Sequence, residues 1–137
     1  MLKPKTNTNT NETTTVFTDA VAITSVGEEN SAFASLSASL TEIRKLKGVI
    51  GYILRSNTSA IIDLNETDKI VEYAILSSQM NDSSIDIAKQ FNLGDIECIL
   101  VEGENVKVLC MTIGENKISI FMEKTATHAW IMKKILL

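Results

Sequence analysis

Apolar residues recur along the chain with two spacings, one typical of helices and one typical of strands. Over Glu28–Lys47 they recur every three or four residues, which predicts an amphipathic helix that stops at Gly48. Its apolar positions are Phe33, Leu36, Leu40, Ile43 and Leu46. Two apolar runs follow, Val49–Arg55 and Ser59–Leu64, and the short polar turn between them predicts a hairpin. Both faces of the first of these strands are apolar, so we expect it to be covered on both sides.

The next helical stripe is the longest in the chain. It begins after Asn65 or Thr67, either of which could cap the helix, and it runs to Gly94. Asn81–Ser84 are poor helix formers, so two shorter helices are the alternative to one long helix. The sustained period favours one long helix. Its small Ser and Ala residues suit packing on a second copy of the chain.

Two Gly-Glu-Asn turns divide the following apolar stretch into strands. The turns begin at Gly103 and Gly114, and both Gly and Asn tolerate the positive φ that tight hairpins need. They separate the runs Ile96–Glu102, Val106–Ile113 and Lys117–Met122, which predict a three-stranded antiparallel meander.

A strongly apolar last helix, Ala126–Leu137, completes the order helix, two strands, helix, three strands, helix. This order predicts an α/β fold in which a five-stranded antiparallel sheet carries helices on both faces. We expect residues 28–137 to form this domain and residues 1–27 to form a disordered or partly ordered tail. Met1–Thr15 is rich in Thr and Asn, which predicts disorder. Val16–Val26 is more apolar and could be an extra strand or a segment that docks on a partner.

Composition excludes several classes of protein. The chain has 137 residues, 45% of them hydrophobic, which suits one domain with a real core. A net charge of −4 argues against binding to nucleic acid or to an anionic membrane. No apolar stretch approaches the roughly 20 residues of a membrane span, and no signal peptide is evident, so we expect a cytoplasmic protein without membrane insertion.

No motif of catalytic chemistry stands out, so we expect neither an enzyme nor a bound cofactor or metal. Cys98 and Cys110 fall in predicted strands and fit small buried apolar residues, with a redox pair as the alternative. They and His128, the only histidine, are too few for a metal site. Arg44 and Arg55 are the only arginines that could reach a nucleotide on a partner.

The first strand of the meander has the character of a pairing edge. Ile96–Val101 contains neither Pro nor Lys, the residues that usually block an edge. Pairing with the same strand of a second copy would continue the sheet across a two-fold axis, and the long helix would pack on its mate. The predicted dimer interface comprises Ile96, Cys98, Ile99, Leu100 and Val101 on the strand and Tyr73, Ser77, Met80 and Ser84 on the helix.

Taken in order, these pieces resemble the Roadblock / dynein light-chain family over residues 30–137. The similar pieces are the leucine-rich helix end and Gly-Val step Leu40–Val49, the strand Gly51–Arg55, the helix end Asn92–Asp95 and the strand and turn Ile99–Gly103. The chain departs from the family pattern at Lys47, where proline is common, and at Ser56–Thr58, which lacks the usual Asp-Gly.

The resemblance implies a profilin-like, Roadblock-type fold and a non-enzymatic dimer. It also implies a scaffold that binds or regulates a small Ras-like GTPase, since many family members do so, while others link dynein to cargo. The alternative function is a small-ligand sensory or regulatory domain without a GTPase partner, which would need a pocket between sheet and helix.

Overall fold

All of the predicted helices and strands are present in a computed structural model, which describes residues 13–17 and 29–136. One 3-10 turn, Thr67–Lys69, leads into the long helix. The elements are β1 (Thr13–Phe17), α1 (Glu29–Ile43), β2 (Val49–Arg55), β3 (Ser59–Leu64), α2 (Ile70–Phe91), β4 (Cys98–Glu102), β5 (Val106–Ile113), β6 (Asn116–Glu123) and α3 (His128–Leu136).

The sheet has the strand order β1-β3-β2-β6-β5-β4. The five strands from β3 to β4 pair antiparallel, as the sequence predicts. β1 adds a sixth strand, parallel to β3, with Thr13 opposite Ser59 and Phe17 opposite Asp63. It begins inside the Thr-rich stretch predicted to be disordered, because β-branched residues favour strands even where the composition is polar. The rest of the predicted tail, residues 1–12 and 18–28, lies outside the described residues.

The helices cover both faces of the sheet and so create two cores. α1 and α3 pack on one face, around the buried residues Phe33, Leu40, Tyr52, Leu109, Ile120 and Ile131. α2 packs on the other face, around Ile53, Leu64, Met80, Val108 and Phe121. Each such large apolar side chain contributes about 1.5–3 kcal/mol when fully buried. Burial on both faces explains why β2 is apolar on both of its sides.

α2 is one unbroken helix, as the sustained period predicts, and it spans the polar stretch in its middle. Ser84 Oγ donates to the carbonyl of Asn81 at 2.7 Å, so its hydroxyl is satisfied within the helix. The expected side-chain cap is wrong: neither the 3-10 turn nor α2 has one, and Asn65 Oδ1 accepts a hydrogen bond from Arg44 instead. The helix ends where Asn92 adopts the left-handed conformation, at φ 52°.

Glycine permits close backbone approach or positive φ at two positions that shape the sheet. Gly114 has φ 61° in the second Gly-Glu-Asn turn. The first turn is closed by the Gly103 N–H donating to the Val106 carbonyl at 2.8 Å, and its glycine does not adopt positive φ. At Gly51, which follows an irregularity in the β2–β6 register, a Cβ atom would lie 2.7 Å from Leu64 Cα. Only glycine therefore fits between β2 and β3 there.

Candidate partner-binding surface

β4 is the outer strand of the sheet, as the edge argument from sequence requires. It pairs with β5 on one side, and the strand order places no described strand on its other side. The Thr112 N–H donates to the Glu97 carbonyl at 3.1 Å, so Glu97 and every second residue after it pair with β5. By alternation, Cys98, Leu100 and Glu102 direct their backbone N–H and C=O groups away from the sheet. This row of groups is a template for another strand.

The side chains of the predicted edge residues are only partly covered. Ile96 precedes the strand and is half-buried. Cys98 and Leu100 lean toward the core under α1 and α3, and Ile99 leans toward the core under α2. Val101 is 43% exposed. The structure therefore brings the predicted strand residues together at one edge.

The predicted helix residues lie instead on the face of α2 that packs on its own sheet. Ser77, Met80 and Ser84 are buried. Ser77 Oγ hydrogen-bonds Ser119 Oγ on β6, and Met80 Sδ lies 3.7 Å from Cys110 Sγ on β5. Tyr73 stacks on Phe121 of β6, with ring centroids 4.5 Å apart. Sequence periodicity identifies the buried face of a helix, and here that face is already covered within the chain.

Two apolar residues near the end of α2 are exposed and are absent from the interface predicted from sequence. Ile87 is 46% exposed and Phe91 is 67% exposed. They follow Met80 by seven and eleven residues and so lie on the same side of the helix. Met80 contacts β5, the neighbour of β4, so this side of α2 packs over β5. The apolar spacing of α2 is the same at Ile87 and Phe91 as in the part of the helix that the sheet covers. The sequence therefore gives no sign that these two side chains are exposed.

We define the β4 edge surface as the outward backbone of Cys98, Leu100 and Glu102 together with the exposed side chains of Ile87 and Phe91. A strand edge that no described strand covers and exposed apolar side chains each favour association with another polypeptide.

Arg44 is engaged within the chain, which leaves it unsuited to act on a partner. Its Nε lies 3.4 Å from Asp63 Oδ1, and the two side chains are only 19% and 7% exposed. Its other nitrogens donate to the Val49 carbonyl at 3.3 Å and to Asn65 Oδ1. Arg55 forms no ion pair with any residue whose side chain is described.

Both cysteines are free thiols, and their surroundings disfavour the reactive thiolate. Burial raises the pKa of the Cys98 thiol above its ordinary value of 9.0. Burial also raises the pKa of Cys110, although its hydrogen bond with Ser119 lowers it in part. The prediction of small buried cysteines is confirmed for Cys110, whereas Cys98 is only partly buried. Over the described residues, no three His, Cys, Asp or Glu side chains are grouped to hold a metal ion.

A buried lysine lies on the α3 side of the sheet. Lys107 is 5% exposed, and its Nζ lies 3.1 Å from His128 Nδ1 and 3.8 Å from Glu102 Oε2. The ammonium donates to the imidazole at the start of α3, which ties that helix to β5.

None of the helices that the structure describes has the length and hydropathy needed to cross a membrane.

Comparisons with known proteins identify the fold. No protein-family model matches the chain. No curated protein matches it. Solved structures do match: a Roadblock/LC7 domain from Streptomyces avermitilis is 14% identical, with a TM-score of 0.59, over 73% of this chain and 84% of that one. MglB from Myxococcus xanthus is 12% identical, with a TM-score of 0.61, over 76% of this chain and 88% of that one. The resemblance drawn from the sequence motifs is thus confirmed for the architecture, and the chain has the Roadblock/LC7 fold.

Proposed function

We propose that the protein is a non-enzymatic, cytoplasmic homodimeric platform that binds or regulates a small Ras-like GTPase. The observation that carries the dimer is the outer edge of β4, which no described strand covers, and we infer that exposed Ile87 and Phe91 lie near that edge. Antiparallel pairing of two β4 strands about a two-fold axis would satisfy the outward N–H and C=O groups of this edge and extend the sheet through both copies.

The proposed interface keeps the strand residues predicted from sequence and replaces the buried helix residues. Ile96, Cys98, Ile99, Leu100 and Val101 would lie along the seam. Ile87 and Phe91 would take the place that periodicity assigned to Tyr73, Ser77, Met80 and Ser84, since those side chains already contact their own sheet. Large exposed aromatic side chains are frequent energetic centres of interfaces.

Two observations support a platform over an enzyme. Arg44 is held by Asp63, and burial raises the pKa of both cysteine thiols above the ordinary value. The likeness to Roadblock/LC7 structures, together with the sequence motifs of that family, supports a GTPase as the partner class.

The GTPase claim is tested by direct binding. The purified protein is immobilised, and small Ras-like GTPases encoded in the same genome are passed over it, loaded either with GDP or with a non-hydrolysable GTP analogue. We expect at least one to bind, with a Kd of about 1 μM and a preference for one nucleotide state. Binding of none of them contradicts the GTPase claim and leaves the dimer untouched.

A further inference from the structure

A groove runs between the C-terminal half of α2 and one end of the sheet. Its volume is about 630 Å³, within the range of small-molecule sites. The segment that leads from α2 into β4 closes one end of the groove, and the β5–β6 turn borders another part of it. We call it the α2 groove.

The floor of the α2 groove is a row of polar side chains on β6, on β5 and just before β4. Cys110 and Ser119 are paired, and both contact α2, so they lie on its face of the sheet. Thr112 and Lys117 form the pair two residues further along and share that face by alternation. Glu97 stands beside Thr112, because its carbonyl accepts the Thr112 N–H.

This row places the Glu97 carboxylate on one side of the Thr112 hydroxyl and the Lys117 ammonium on the other. With neighbouring strands about 4.8 Å apart, the backbones of Glu97 and Lys117 are separated by about 10 Å. Neither side chain forms an ion pair with any other described residue. Lys89 and Asp95 also line the groove, so its ionic side chains balance in charge. A balanced site with separated charges favours a ligand that carries both charges and no net charge.

The roof supplies a hydrogen-bond donor that lacks an acceptor. Asn81 lines the groove from α2 and is 9% exposed, and its buried Nδ2 has no hydrogen-bond partner among the described residues. Leaving such a donor unpaired is costly, and a rotation of the Asn81 side chain toward the groove would let a ligand oxygen satisfy it. Ile85 and Ala88, on the same helix, offer an apolar wall beside it.

We propose that the α2 groove binds a small zwitterion of the α-amino acid type. Its carboxylate is held by Lys117 and the Asn81 amide, its ammonium by Glu97, and its aliphatic part by Ile85 and Ala88. The groove borders the start of β4, since Ile96 and Glu97 line it, but the proposed contacts are side chains on the α2 face of the sheet and not the outward backbone of β4. The proposal does not depend on a GTPase partner.

The test is a titration of the full-length, 15N-labelled chain with L-valine, followed by amide and side-chain NH2 shifts up to about 10 mM ligand. The matched probes are 3-methylbutanoate, which lacks the amine, and 2-methylpropylamine, which lacks the carboxylate. We expect valine to shift the Asn81 side-chain and Thr112 signals, and each probe to bind about tenfold more weakly, because one charged contact is lost.

Charge-neutralising variants locate the site. Glu97→Gln and Lys117→Gln are each expected to raise the Kd for valine about tenfold, while Glu104→Gln and Lys124→Gln, which lie outside the groove, leave it unchanged. No shift with valine overturns the proposal. Equal binding of either single-charge probe overturns the zwitterion assignment, and full binding by both groove variants overturns the site.

Discussion

The Arg44 guanidinium lies 3.4 Å from the Asp63 carboxylate and joins the end of α1 to β3. The same side chain donates to the first residue of β2, so one guanidinium ties three consecutive elements together. The hairpin β2–β3 and the helix before it are therefore held in a fixed orientation by a polar contact at the edge of an apolar core.

Removal of this guanidinium is expected to destabilise the fold. Arg44→Met removes the guanidinium that pairs with the largely buried Asp63 carboxylate, and we expect the free energy of unfolding to fall by about 3 kcal/mol. Urea denaturation monitored by circular dichroism measures it. The control is Lys45→Met, which removes the exposed pair with Glu42 at 3.3 Å and should change the free energy by less than about 0.5 kcal/mol. Equal effects of the two variants would contradict a structural role for Arg44.

A methyl group at Gly51 is expected to disturb the middle of the sheet. Its Cβ would lie 2.7 Å from the Leu64 backbone, so Gly51→Ala forces β2 and β3 apart and should cost about 2–3 kcal/mol of unfolding free energy. Gly94→Ala is the control that introduces backbone strain without crowding, because Gly94 has φ 76° and no atom lies within 4 Å of the added Cβ. It should cost about 1 kcal/mol. A smaller loss for Gly51→Ala than for Gly94→Ala would show that β2 is not packed as described.

The protein is expected to lose stability in alkali. Burial raises the pKa of Cys110 above 9.0 and the pKa of Tyr52 above 10.0. Unfolding therefore releases protons from these groups once the pH exceeds the ordinary pKa of each, so their contribution to stability is constant below about pH 9 and falls above it. Urea midpoints measured from pH 7 to about pH 10.5 test this, and Cys110→Ala should reduce the slope between pH 9 and 10. A midpoint that rises with pH in that interval would contradict the sign.

Exposed Phe91 is expected to serve association and to contribute little to the fold. Phe91→Asp should leave the free energy of unfolding of the monomer within about 0.5 kcal/mol and weaken self-association. Leu136→Asp is the matched control, since Leu136 is 62% exposed on α3, on the opposite side of the sheet. Sedimentation velocity over a concentration series compares the self-association of the two variants with that of the unmodified chain. If both variants associate like the unmodified chain, Phe91 is not part of the interface.

The sequence predicts the architecture well because local patterns decide it. β2, β3 and β5 begin and end at the predicted residues, since turn residues bracket each apolar run. The first residues of β1 are predicted to be disordered, because composition alone does not show that the edge of β3 is available to pair with them. The capping residue of α2 is missed because Asn65 is recruited by Arg44, which is far away in sequence.

The candidate site is predicted only on its strand side. The absence of Pro and Lys from a strand can be recognised in the sequence and predicts an edge that can pair, and β4 does lie at the edge of the sheet. The residues of α2 that are exposed depend on where the helix extends beyond the sheet, and this is a property of the tertiary structure. Periodicity does not distinguish Ser77 and Met80, which are buried, from Ile87 and Phe91, which are exposed, and the predicted interface includes only the first two.

The central claim, pairing through the β4 edge, rests on the outward N–H of Leu100. Leu100→Pro removes that donor while the inward ladder to β5 keeps its hydrogen bonds, and proline is tolerated on edge strands. Leu100→Ala loses the same side chain and keeps the N–H, so it is the matched control. Circular dichroism confirms that each variant is folded.

The decisive measurement is the mass in solution by light scattering coupled to size exclusion. The account predicts twice the chain mass of 15.0 kDa for the unmodified protein and for Leu100→Ala, and the single chain mass for Leu100→Pro. A monomeric unmodified protein, or a Leu100→Pro variant that remains dimeric, would contradict it.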